Sequence, residues 1–166
     1  MWKIILPIGI FSLMIGGLFV VLLPEATTDE KAASAEKLDI PEDWKKLPVV
    51  DWNVMYKYNF EKRQGPEELA KLDNQLARIP GYIVPLVDNV KEIKEFLVVP
   101  DPQSCIHVPP PPPNLIIASE LAQTLSILKV PQPAWIIGRF KISASKSKYG
   151  EAAFKMEQAR LERYNE

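Results

Sequence analysis

Cys105 and His107 are the only cysteine and the only histidine in the chain, and they stand two residues apart in C-I-H. In an extended segment such residues share a face, so thiol and imidazole become neighbours. Thiolate and imidazole both suit zinc or copper, yet a stable zinc site needs three or four protein ligands. The balance would have to come from carboxylates such as Asp101 or Glu95, from a partner, or from a second copy of the chain. Nucleophilic chemistry is the other option, with His107 lowering the pKa of the Cys105 thiol. No orienting third group and no oxyanion site is recognisable beside them. A plainer alternative ranks first: free cysteine is commonly a small apolar core residue.

Five prolines, Pro109, Pro110, Pro111, Pro112 and Pro113, follow this pair and lead to Asn114. Such a run forms a stiff polyproline II rod without backbone donors. It can be read by an aromatic groove on a partner, or it can cross the domain as a strap. Apolar Leu115 to Ile117 come next, so both ends are expected to be tied into the fold. The strap is the preferred reading, with one face, and Asn114 with it, left to meet a partner.

Three segments carry a family resemblance: RIPGYIVPL at 78–86, EFLVVPDPQSCIHVPPPPPN at 95–114, and WIIGRFKI with YGEAAFKME near the end. They resemble a bacterial envelope protein family of unknown function that shares G-Y-[MI]-V-P-L and C-I-H-V-P-P-P-P-P-N motifs. The resemblance covers roughly Val49 to the C-terminus. It implies an accessory role in envelope transport or metal handling, since members resemble neighbours of export permeases and of zinc-uptake regulation. Cys105, His107, the prolines and Asn114 carry over. Leu115 departs from the usual glutamine, and the N-terminal segment lacks a lipobox cysteine.

These residues need elements to hold them, and the N-terminus comes first. From Ile4 to Leu23 no residue is charged. At about 1.5 Å per residue, a helix of that length crosses a hydrocarbon core of about 30 Å. A cleaved signal peptide would have a shorter apolar region and a closer cleavage site than Ala33-Ser34-Ala35, and a core helix would show more polarity than Ser12 alone. Residues 1–24 are therefore expected to be a retained transmembrane anchor. Lys3 precedes the apolar run and Glu25, Asp29 and Glu30 follow it, which puts Met1 in the cytoplasm and the remainder in the periplasm. Ser12 and Gly16, with Gly17 adjacent, have the spacing that lets membrane helices pack closely.

Removing Lys3 from the 20 basic residues leaves 19 against 21 acidic ones, a formal charge of −2 for the exported part. That balance excludes a nucleic-acid surface, which needs a basic stripe. One cysteine also excludes an intrachain disulfide.

Residues 25–48 read as a charged, alanine-rich tether, with a capping box at Thr27 and Glu30 and a short helix ending near Leu38. Trp44 is expected to dock on the domain. Residues 49–166 read as a mainly β domain, a small Greek-key or OB-like barrel. Its expected strands include 49–60, where Val54, Tyr56 and Tyr58 alternate with polar residues, and 75–87, bent by a bulge at Pro80-Gly81. Others are 92–99, with Ile93, Phe96 and Val98 inward, 134–142, where Gly138 marks a bulge or corner, and the final segment around Phe154 and Met156. A short helix is expected from Pro66 through Leu72, and turns at Asp73-Asn74 and Asp88-Asn89. Residues 114–130 allow a strand with a turn or a strand with a helix. Residues 143–150 read as a polar linker.

The function expected is a non-enzymatic accessory or interaction protein, anchored in the bacterial inner membrane and serving an envelope complex or transport system. A metal-binding protein using Cys105 and His107 comes second, and a thiol-dependent enzyme third. No small-molecule substrate is identifiable, and zinc or copper is the one cofactor to consider.

Overall fold

The computed structural model describes residues 38–86, 91–102 and 111–165. Outside them lie the apolar segment with Ser12, Gly16 and Gly17, the tether up to residue 37, the Asp88-Asn89 turn, Cys105, His107, Pro109 and Pro110. The chain divides into two units, Met1–Ser34 and Ala35–Glu166, and the description concerns the second.

Among the described residues, two short α-helices precede the sheet. The first, α1 (Trp52–Tyr56), stands where a strand was expected. Asp51 caps it, its carboxylate accepting from the Asn53 amide at 2.8 Å. The apparent alternation fails because Tyr56 is 66% exposed while Met55 and Tyr58 are buried. Inward residues therefore recur every third position, the helical spacing, and an aspartate N-cap stabilises that choice locally. The second helix, α2 (Glu67–Leu72), matches its expectation, with Glu67 and Glu68 in the first turn and Leu69 buried. A turn follows in which Asn74 adopts φ 63°, a left-handed conformation that asparagine tolerates.

Among the described residues seven strands follow: β1 (Leu76–Pro85), β2 (Glu92–Val99), β3 (Ile117–Ser126), β4 (Ala134–Lys141), β5 (Ser145–Ser147), β6 (Gly150–Ala152) and β7 (Phe154–Arg163). Five close a barrel in the order β1-β2-β3-β7-β4, and β5 with β6 form a separate hairpin. The early part of β1 pairs with β4, from Leu76 opposite Arg139 to Gly81 opposite Ala134. Its later part pairs with β2, from Tyr82 opposite Val99 to Pro85 opposite Phe96. The last strand, β7, enters between β3, to which it runs parallel, and β4, to which it runs antiparallel.

Pro80-Gly81 is not a bulge, since both ladders of β1 keep an unbroken register. Glycine is needed there for a close approach: a Cβ on Gly81 would stand 2.5 Å from Val98 Cγ1 and 3.0 Å from the Val99 carbonyl oxygen. Irregularities fall instead between β2 and β3, where Ile93 and Glu95 face Leu125 and Glu120, and on β7. Ser119 and Leu121 face Met156 and Ala159, while Ile137 and Arg139 face Arg160 and Glu157, so β7 carries one extra residue against both neighbours. Gln158 sits there with φ 49°. Such bulges add local twist, which a five-stranded barrel requires to close.

Residues 143–150 are the other correction. Most of that polar segment is the β5–β6 hairpin, turned at Lys148-Tyr149 and assisted by Gly150 at φ 123°. Three-residue strands are too short to display a period. Residues 114–130 resolve into one long strand followed by a 3-10 turn, Ile127–Lys129.

Phe96, Phe140, Phe154, Ile79, Ile117, Ile136 and Met156 fill the interior. Phe140 stacks on Phe154 with centroids 5.5 Å apart, and Tyr58 of the α1–α2 loop meets Phe154 at 5.1 Å. Each fully buried side chain of this size contributes about 1.5–3 kcal/mol.

Residues before α1 belong to the same packing. Arg78 turns its backbone away from β4, donating to the Pro48 carbonyl at 3.0 Å and accepting from the Val50 amide at 2.9 Å. Pro80 has no N–H, and its carbonyl accepts from the Trp52 indole at 2.7 Å. The stretch of β1 that β2 does not reach is thus paired, which removes an exposed sheet edge.

Candidate functional site

The described part of the proline run starts at Pro111. Pro112 has φ −61° and ψ 151°, close to polyproline II, and Pro113–Leu115 then tighten into a 3-10 turn. Prolines donate nothing, so anchoring must use their carbonyls and the flanking side chains. The Pro113 carbonyl accepts from the Ala153 amide at 2.8 Å. Asn114 Nδ2 donates to the carbonyls of Tyr56 at 2.7 Å and Tyr58 at 3.2 Å. Helix ends leave carbonyls without intrahelical partners, and Asn114 satisfies two at the end of α1. Its amide is directed at the end of α1, and Pro112 and Tyr56 are exposed.

The same turn bonds to Tyr58 and Ala153, two of the residues lining a cleft of about 230 Å³ whose other lining residues are Phe60, Arg63, Ile142, Ser143 and Ala144. One wall is the α1–α2 loop. Mutual backbone bonds between Asn59 and Gln64, at 2.7 and 3.2 Å, close this loop, and Lys62 N donates to Asn59 Oδ1 at 2.8 Å. Arg63 adopts φ 51° at its tip. Gly65 lets the loop fold onto Tyr58, since a Cβ there would lie 2.6 Å from the Tyr58 ring. The opposite wall is the connection from β4 to β5, where Ile142 N donates to Asp73 Oδ1 at 2.8 Å.

A second cluster lies on the barrel exterior. Arg78 Cζ stands 4.3 Å from the Trp135 ring centroid and 5.9 Å from that of Trp44. Trp135 also packs against Trp44 at 6.3 Å and Tyr164 at 5.2 Å. Trp44 therefore lies on the barrel wall, held by ring contacts and by an arginine whose Nε donates to the Leu47 carbonyl.

Among the described residues no three His, Cys, Asp or Glu side chains are grouped to hold a metal ion. None of the described helices is long and apolar enough to cross a membrane. Of the candidates taken from the sequence, Asn114 bonds to the end of α1 and Pro113 to Ala153, while Pro111 and Pro112 precede them and Pro112 is exposed. Cys105, His107, Pro109 and Pro110, and the helix-packing set Ser12, Gly16 and Gly17, lie outside the described residues. Sequence reasoning missed Arg63, Ser143 and the cleft they line. Its walls come from segments about eighty residues apart, and neither segment carries a motif.

The family model for DUF3299, proteins of unknown function, matches residues 22–163, which include the strap and both cleft walls. The chain belongs to the DUF3299 family. A solved structure, that of a DUF3299 family protein from Pseudomonas aeruginosa PAO1, is similar at 36% identity and a TM-score of 0.49. That similarity covers 58% of this chain and 66% of the Pseudomonas chain, so the match spans just under two thirds of the relative. No curated protein matches the sequence. DUF3299 membership accords with the expected family of unknown function and supplies no activity.

Proposed function

We propose that this DUF3299 protein is a non-enzymatic accessory protein of a bacterial envelope complex or transport system. The apolar N-terminal segment anchors it in the inner membrane, and the barrel works in the periplasm. The observation that carries the reading is Tyr56, a large side chain left 66% exposed at the helix end to which Asn114 bonds, with Pro112, two residues before Asn114, exposed as well. Tyrosine and proline are side chains that partners read, and here Asn114 and the Pro113 carbonyl hold them in a fixed relation. Preorganisation of this kind lowers the entropic cost of association. The β1-β2-β3-β7-β4 order, with β3 and β7 parallel, supports reading the barrel as OB-like, an architecture that serves as a binding scaffold.

Photoreactive residues placed at Tyr56 and at Pro112 in growing cells test the partner surface. Both positions should capture the same envelope protein, while Lys71, exposed on α2, should not. Failure of both positions to crosslink in a folded, membrane-associated protein refutes the surface. Retention in the membrane pellet after alkaline extraction is the matching expectation for the anchor.

A further inference from the structure

We propose that the end of the barrel bearing the Ile127–Lys129 turn lies on the phospholipid surface, with Leu128 inserted among the headgroups. This deepens the accessory role and rests on its membrane anchor, to which it adds an orientation of the barrel. Leu128 is 93% exposed, the most exposed large apolar side chain among the described residues. Its turn is held on both sides. Ile127 N donates to the Lys91 carbonyl at 2.9 Å and Val130 N to the Ile127 carbonyl at 3.2 Å. The Gln132 side chain accepts from Ile83 N at 3.0 Å and donates to the Ile83 carbonyl at 2.7 Å. A turn fixed in this way keeps the leucine in water unless something apolar covers it.

One exposed leucine is ordinary on a protein surface, so its surroundings decide. From Leu125 to Trp135 the chain reads LSILKVPQPAW, a connection between strands with no acidic residue. Tyr164 N donates to the Pro133 carbonyl at 3.4 Å, and the Tyr164 ring packs on Trp135 at 5.2 Å, with Trp44 a further 6.3 Å from Trp135. All three rings are half-buried, and tryptophan and tyrosine settle at headgroup level. Exposed Lys91, Lys129 and Arg163 stand at this end against Glu92, while Glu162 lies 3.3 Å from Arg160 Nε. Around Trp44, Lys45 and Lys46 balance Glu42 and Asp43. Basic residues at the turn favour anionic lipid. A bilayer accepts a convex apolar tip without a matching pocket, whereas a protein partner must supply complementary shape.

Residues 24–37 link the apolar segment to Leu38, a span of at most about 50 Å, so an anchored chain keeps the turn within reach of its own membrane. Strand β3 then sets the polarity of the barrel. The strap turn Pro113–Leu115 precedes its first residue and Leu128 follows its last, and its 10 residues span about 33 Å. The strap end is thus held away from the bilayer, and the partner read by Tyr56 and Pro112 is a periplasmic domain rather than a membrane helix.

The test uses the full chain, isotope-labelled in nanodiscs of three parts phosphatidylcholine to one part phosphatidylglycerol, with a trace of lipid carrying a nitroxide on its headgroup. Amide signals of Lys91, Leu128 and Lys129 should be lost to paramagnetic broadening, while those of Leu69 and Asn114 at the strap end persist. Leu128→Asp combined with Lys129→Glu, both at exposed positions, should restore the Lys91 signal in a spectrum that still reports a folded barrel. Even broadening of both ends overturns the proposal, as does a double variant broadened like wild type. A chain that elutes apart from the discs refutes the anchor alone. Liposomes of the same lipids then decide the contact, since broadening of the turn upholds it and unbroadened turn signals end it. In growing cells, a photoreactive residue at Leu128 should gain the mass of a phospholipid. Capture of a protein there in place of lipid assigns the turn to a partner and overturns the membrane contact.

Discussion

Gly138 has no room for a side chain. A Cβ there would meet the Glu157 carbonyl oxygen at 2.7 Å and Met156 Cγ at 3.1 Å, where the β7 bulge presses against β4. Backbone cannot yield as the end of a side chain can, so Gly138→Ala should destabilise the barrel by about 1–3 kcal/mol, the usual range for overpacking. Urea titration of the variant reads this as a lower midpoint with an unchanged slope. Asn114 is the second residue whose loss has a defined size. Asn114→Ala removes two hydrogen bonds from the end of α1 and should cost about 1–3 kcal/mol. Asn114→Asp should be at least as damaging, because it turns acceptor oxygens towards two carbonyls. Thermal melts of the pair separate lost bonding from added repulsion, and an aspartate variant as stable as wild type would remove Asn114 from its clamping role. Both residues were noticed in the sequence. The register breaks at Gly138 as expected, but its extra residue lies on β7, whereas the task of Asn114 depends on where α1 ends, which no local pattern states.

Strand pairing brings like charges together between β2 and β3, with Glu95 directly opposite Glu120. Such pairs are unfavourable, and Lys94 offsets this one by binding Glu120 at 2.9 Å. The hydrogen bond to Glu120, and then the charge of that carboxylate, raise the pKa of the Lys94 ammonium above its ordinary 10.5. A raised folded-state pKa means that the contribution is fully present below 10.5 and is lost as pH rises through the folded value. Both partners are exposed, so the effect is small and screened by salt. Lys94→Met should abolish the part of the alkaline stability loss that salt suppresses, as measured by denaturation from pH 9 to 12. An identical alkaline profile in wild type and variant would dismiss the pair. At this scale the sequence was legible wherever a period ran long enough. The alternating β1, the apolar β2 and the terminal β7 are present, and α2 starts where proline and two glutamates favour a helix. Helix α1 was misread because five residues hold barely one turn, and a strand and a turn of helix bury different members of the same short set. The β5–β6 hairpin left no trace because its polar strands lie on the surface.

For the whole molecule, the instructive point is where the fold begins. Composition places a boundary near Val49, since the residues before it are charged and poor in core formers. Pairing and packing extend further back. Pro48 and Val50 bond to Arg78, the Leu47 carbonyl accepts from the Arg78 side chain, Trp44 lies on Trp135, and the Leu38 amide donates to Gln158 Oε1 at 2.6 Å. None of these depends on a hydrophobic run, so hydropathy cannot register them. They use backbone groups, one arginine and one tryptophan, whose partners lie thirty to a hundred and twenty residues away. A chain beginning at Leu38 keeps these residues, while one beginning at Val49 loses Trp44, two carbonyl acceptors of Arg78 and the Leu38 bond to Gln158. Three lost hydrogen bonds and one uncovered indole amount to about 3–6 kcal/mol, a large fraction of the roughly 5–15 kcal/mol that holds a domain together. Calorimetry of the two fragments should therefore show 38–166 melting about 10–20 °C above 49–166. Equal melting temperatures would mean that the barrel is complete without its N-terminal strip and that residues 38–48 are a tether after all.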